Sequence, residues 1–187
     1  MTNQTLTAPV ANTLTGERAD LVEALRKHRE LFLTTVRGLT DEQAASRPTV
    51  SELCLGGLVK HVTAVEKNWA DFAVDGPAEQ PDIDWASIDW SNPPAAILEH
   101  QNGFRMLEGE TLESILAAYD SVAAATDALV ATIDLDQTHP LPEAPWFEPG
   151  ATWSARRAFV HVIAETAQHA GHADIIRETI DGQKSMG

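Results

Sequence analysis

The sequence predicts an all-α fold, a four-helix bundle with a long connection between its second and third helices. Three observations carry that expectation. Four segments repeat apolar residues at steps of three and four, the period of one helix face. No stretch of any length alternates apolar and polar residues as a half-buried strand does. Breakers close the periodic segments, at Gly38, at Asp75-Gly76-Pro77 and at Asp181-Gly182.

The first helix is expected from about Gly16 to Arg37, with Leu21, Leu25, His28, Phe32 and Val36 on its inner stripe. The second starts after Pro48, with Thr49 or Ser51 as candidate caps, and runs to about Val74. Its apolar arc is Leu55, Leu58, Val62, Val65, Trp69 and Phe72, with Lys60, Lys67 and Asp71 on the opposite side. The third follows Thr111 and continues to about Ile133 through Leu112, Ile115, Leu116, Tyr119, Val122 and Leu129. The fourth begins near Thr152 or Ser154 and ends near Ile180. Between the second and third helices, Asp75 to Glu110 carries four prolines and two tryptophans, and Asp84-Trp85 and Asp89-Trp90 are candidate anchors for so long an excursion. A second proline-rich connection, His139 to Gly150, precedes the last helix. The expected organisation is a flexible segment 1–15, one bundle over 16–182 and a tail 183–187, antiparallel with a crossover excursion.

Composition narrows the function. The chain has 187 residues, 43% of them hydrophobic, enough for one sizeable core. A single cysteine, Cys54, rules out an internal disulfide and a thiolate zinc cluster, and reads as a small buried hydrophobe. Residues 1–15 lack the basic-then-apolar order of a signal peptide, and no apolar run approaches the ~20 residues of a membrane span. The cytoplasm is therefore the expected compartment. The formal net charge of −15, without any basic cluster, argues against nucleic acid as a partner. There is no glycine-rich phosphate loop, no Gly-x-Ser-x-Gly elbow and no His-Glu-x-x-His pair.

The last helix breaks its own pattern. Its inner stripe reads Ala158, Val162, Glu165, His169, His172, Ile176 and Ile180, with an acid and two imidazoles where a bundle seam wants Leu or Val. Glu165 and His169 stand one turn apart on nearly one line. A buried carboxylate without a counter-charge costs several kcal/mol, and a divalent cation relieves it together with the imidazoles. A solvated groove, or a pair between Glu165 and protonated His169, is the competing account of these residues. His61, at the margin of the second helix's arc, adds a third N/O donor on a helix that a bundle packs nearby. His61, Glu165 and His169 would leave one position open, a set that suits zinc, with nickel, iron and manganese sharing the ligand types. His172 is a candidate pocket residue or substitute ligand, His161 a flanking group, and His28 a residue pointing toward the same cavity. His100 and His139 read as exposed loop residues.

Two segments resemble the DinB-like superfamily, closest to its actinobacterial branch of mycothiol-dependent enzymes. They are Gly57-Leu-Val-Lys-His-Val-Thr-Ala-Val-Glu-Lys-Asn-Trp69 and the run from His161 to Gly182, supported by Gly38 to Ala44 and Glu110 to Tyr119. The resemblance implies a four-helix bundle of the DinB/YfiT type with a divalent metal at one end. It implies a histidine ligand from the second helix and two ligands four apart on the fourth, which land on His61, Glu165 and His169. Many members have three histidines, and Glu165 departs from that set but resembles the His-Glu-His set of mycothiol-dependent maleylpyruvate isomerases. The implied activity is a metal-dependent S-transferase in which the ion activates a low-molecular-weight thiol such as mycothiol against an electrophile. Arg156 or Arg157, with Arg156 preferred, and His172 are the candidates for orienting substrate. An isomerase or hydrolase on the same site, or a non-catalytic ligand-binding bundle, is the alternative. A homodimer is the association the family implies.

Overall fold

The computed structural model describes residues 14–79, 88–89, 91–144 and 146–186. Among them run α1 (Glu17–Thr34), α2 (Asp41–Ala45), α3 (Leu55–Asp75), α4 (Ala95–Asn102), α5 (Leu112–Thr132), β1 (Thr138–Pro140), β2 (Thr152–Ser154) and α6 (Ala155–Asp181). The four long helices close a ring, α1 packing on α5 and α6, and α3 packing on α5 and α6. The all-α bundle expected from periodicity is the fold. Two short helices, α2 and α4, lie in the connections.

The helix starts follow from local chemistry. Thr40 and Thr111 form capping boxes with Gln43 and Ser114, and the Ser154 hydroxyl accepts the Arg157 N–H to cap α6. The cap of α3 is neither Thr49 nor Ser51. Those side chains accept from Ser51 and Leu53 N–H in the turn ahead of the helix, and Cys54 takes the cap position, its Sγ accepting the Gly57 N–H at 3.4 Å. Cys54 is buried, as expected, but also has this polar task.

Apolar residues form two clusters stacked along the bundle. One gathers Phe32, Leu58, Val62, Ile115, Tyr119 and Ile176; the other gathers Leu25, Phe72, Val130, Phe159 and Val162. A charged group is buried with them. Arg29 of α1 donates to Glu66 of α3 at 2.5 Å and to Asp127 of α5 at 2.8 Å, and Arg26 donates to Asp127 at 2.8 Å. The position expected to bring His28 inward belongs to Arg29, because the buried stripe of α1 is Leu21, Leu25, Arg29 and Phe32. His28 is half-buried beside it.

Two further expectations change. By length and composition α5 could cross a membrane, with a mean hydropathy of 1.3 over its most apolar window. In the fold this apolarity packs α5 on α1 and α3 through Ile115, Tyr119 and Val130. A strand pair also exists where no strand was expected. β1 and β2 pair antiparallel, with His139 opposite Trp153, in segments too short to show an alternation. His139 is therefore a half-buried strand residue, its ring edge-on to Phe72 at 5.7 Å, not an exposed loop residue.

The excursion before α5 is tied to α3. Lys60, read as lying opposite the packed face, donates to the carbonyls of Asn102 (3.2 Å) and Arg105 (3.0 Å) and to Glu110 (2.8 Å). At Gly57 a Cβ would fall 2.0 Å from the Phe104 carbonyl oxygen, so only glycine admits that approach. Trp85 and Trp90, the candidate anchors, lie outside the described residues.

Candidate metal centre

The polar residues of α6 sit at the edge of its buried stripe, not on it. The stripe is Ala158, Val162, Thr166, Ala170, Ala173 and Arg177. Glu165, His169 and His172 each stand one position aside and are half-buried. On α3 the buried line is Leu58, Val62 and Glu66, and His61, Val65 and Trp69 form its half-buried margin. A helix packed between two others buries a stripe and leaves margins facing the neighbouring margins. The margins of α3 and α6 meet and make a groove, into which both helices send polar groups.

His61, Glu165 and His169 converge there, with one donor atom from each within 4.8 Å of the others. The His61 and His169 rings meet edge to face at 4.7 Å. Glu165 Oε2 lies 3.6 Å from His169 Nε2, and its Oε1 lies 3.3 Å from His161 Nε2. Burial pushes the His61 imidazolium down to about 4, helped by the nearby His169 and His100. Burial lowers His169 as well, with His172 adding to the effect and Glu165 opposing it. The imidazoles are therefore uncharged at neutral pH, with lone pairs free. Two neutral imidazoles and a carboxylate, close together and without a cation among them, form a donor set that fits a divalent ion.

Neighbours fix these side chains. Phe104 stacks on the His61 ring at 4.1 Å and 24° between planes, held there by the Gly57 approach and the Lys60 bonds. His172 Nδ1 is 3.3 Å from His169 Nδ1. With His169 Nε2 turned to Glu165, the Nδ1 pair is a hydrogen bond in whichever direction the tautomers allow, and it orients the His169 ring. His161 packs edge-on against Trp69 (4.8 Å) and Trp153 (5.1 Å) and reaches Glu165 with its Nε2. Burial lowers its pKa, against the pull of Glu165.

Arg156 is not brought to this groove. It points to α1, paired with Glu17 and, at 2.6 Å, with Asp136. Arg157, one residue on, lies over the Trp153 ring at 4.1 Å from its centre. His100 belongs to α4 and is exposed, its ring edge-on to Phe104 with 5.3 Å between centres. Phe104 and Trp153 were not legible as site residues, since both fall outside the periodic segments. The Gly56-Gly57 pair inside a helix was the available signal, because glycine there costs ~1 kcal/mol unless a close approach demands it.

The model of the mycothiol-S-transferase family matches residues 20–182. This chain belongs to the mycothiol-S-transferase family. That match covers α1 from Asp20 on and every later element through α6, and agrees with the DinB-like resemblance of the two helical segments. No curated protein matches the chain. A crystal structure of a conserved protein from Enterococcus faecalis is similar at 15% identity and a TM-score of 0.63, covering 91% of this chain and 100% of that one. At that identity the likeness speaks to the fold this mycothiol-S-transferase family member adopts, and to nothing finer.

Proposed function

We propose that this chain is a metal-dependent S-transferase that joins a low-molecular-weight thiol, mycothiol or a close analogue, to a small electrophile. The observation that carries the reading is the His61, Glu165 and His169 cluster within 4.8 Å, in a chain of this family. Those three residues would hold the ion, zinc by ligand type with nickel, iron or manganese as substitutes. Bound there, a divalent ion supplies Lewis acidity that lowers the pKa of a thiol into the physiological range. The chain's own residues do the rest. His172 holds the His169 ring through its Nδ1, Phe104 holds the His61 ring, and His161 holds the outer oxygen of Glu165. Trp69 and Trp153 wall the groove beside them. A cytoplasmic homodimer acting on small molecules, without nucleic acid or membrane, is the setting we assign to it.

Metal content and thiol dependence test the proposal together. His61→Ala and His169→Ala should each lose the bound ion from the purified protein, whereas His100→Ala should keep it. Equal metal in wild type and His61→Ala would remove the site assignment. Turnover of a generic electrophile that is the same with and without added thiol would replace the transferase by a hydrolase.

A further inference from the structure

The groove does not end at the three donors. Along α6, Arg157, His161, Glu165 and His169 follow one another at four-residue steps and share a face. Along α3, His61, Val65 and Trp69 do the same. At one end His61 meets His169; two turns away Trp69 meets His161 at 4.8 Å, and Trp153 of β2 closes that end by stacking on Trp69 at 4.8 Å. The guanidinium carbon of Arg157 lies over the Trp153 ring there, 4.1 Å from its centre.

Stacking engages the face of a guanidinium and leaves its N–H edge free, the edge that takes a carboxylate in two parallel hydrogen bonds. Among the described residues the Arg157 side chain donates to nothing. Arg18, Arg26, Arg29, Arg47, Arg156 and Arg177 all donate to carbonyls or carboxylates, whereas the Arg37 and Arg105 side chains, like that of Arg157, donate to nothing among the described residues. Arg157 is exposed, and it differs from Arg37 and Arg105 in lying over an aromatic ring at the end of the row that carries the three donors. Arg157 and Glu165 are eight residues apart, about 12 Å along a helix, and the two side chains shorten that span.

We propose that Arg157, set on Trp153, is the anion-recognising residue of the groove, and that the electrophile carries a carboxylate or comparable anion at the end of a planar body. This rests on the transferase reading, in which the reactive carbon lies near the three donors.

The test uses the full-length, metal-loaded protein with mycothiol and two chloronitroarenes, 1-chloro-2,4-dinitrobenzene and 4-chloro-3,5-dinitrobenzoate. In both, the thiol sulfur bonds the ring carbon, chloride leaves with its electron pair, and the thiol proton passes to solvent. Arg157→Met, which keeps the apolar cover on Trp153, should raise KM for the benzoate about tenfold. It should leave the neutral arene and the KM for thiol within about twofold, with Arg157→Lys between. Equal losses on both arenes, or no change on either, would overturn the proposal. So would a raised KM for thiol, which would place Arg157 against the thiol substrate. If wild type turns over neither arene, the transferase reading fails by itself. The subsite is then read by tryptophan quenching with 4-nitrobenzoate and its neutral amide. A preference for the acid that Arg157→Met removes sustains it, and equal binding of acid and amide ends it.

Discussion

A neutral imidazole is a ligand ready for use, and the groove keeps His61 and His169 in that state by burying them beside one another. Glu165 is the lone anion of the set, so its charge offsets that of an ion. Glu165→Gln keeps the shape and removes the charge; metal affinity should fall at least about tenfold in competition with a chelator. The same burial gives the metal-free protein a pH dependence. Unfolded, His61 takes a proton near 6.5; folded, it takes one only near 4. Between those values the unfolded chain binds more protons, so stability rises with pH. In excess chelator the melting temperature should hold above pH 6.5 and decline as pH falls toward 4, and His61→Phe should flatten part of that decline. An apo melting temperature that is level from pH 7 to 5 would contradict it.

At the scale of elements, the site depends on a connection that contributes no donor. α3 presents His61 to the groove, while the chain around Phe104 presses on its other face through the glycine at position 57 and the three acceptors of Lys60. Gly57→Ala must push the Phe104 backbone away by more than a rotamer change can absorb. It should cost about 1–3 kcal/mol of stability and weaken metal binding, seen by denaturant unfolding and metal titration. Unchanged metal affinity in a folded Gly57→Ala would show that the stack is ornamental to His61. Here the sequence was only partly legible. The helices and the three donors follow from periodicity and its violations, because a polar residue on a buried face is visible in one segment. Phe104, Trp153 and the β1–β2 pair depend on contacts between segments, which no local period encodes. The same limit placed the polar trio of α6 on the stripe itself, when packing on two neighbours turns it to the edge. Nor does local periodicity tell which side of α6 faces α1, where Arg156 pairs with Glu17.

For the whole molecule, the buried Arg29, Glu66 and Asp127 group joins α1, α3 and α5 in a largely apolar interior. The two apolar clusters accept many neighbouring rotations of a helix, whereas a bidentate ion pair accepts one. Its desolvation cost is large, so the complete group adds little net stability, but breaking it leaves a buried charge unpaired. Glu66→Gln should destabilise the fold by about 3–5 kcal/mol in urea unfolding, far more than loss of an exposed pair such as Lys67–Asp71. A shift under about 1 kcal/mol would mean the interior relaxes around Arg29. Neither Glu66 nor Arg29 was singled out from the sequence, since charged residues at helical spacing read equally as a solvated face.

The shared helix α3 links that interior group to the groove. Glu66 and His61 lie five residues apart on one rigid rod, so whatever sets the rotation of α3 about its axis also aims the His61 ring. On the proposed metal reading, Asp127, on a helix that brings no donor to the site, would be thermodynamically coupled to metal occupancy. Holding an ion there and holding the interior pair would then be reciprocal conditions, each steadying the other across the width of the bundle.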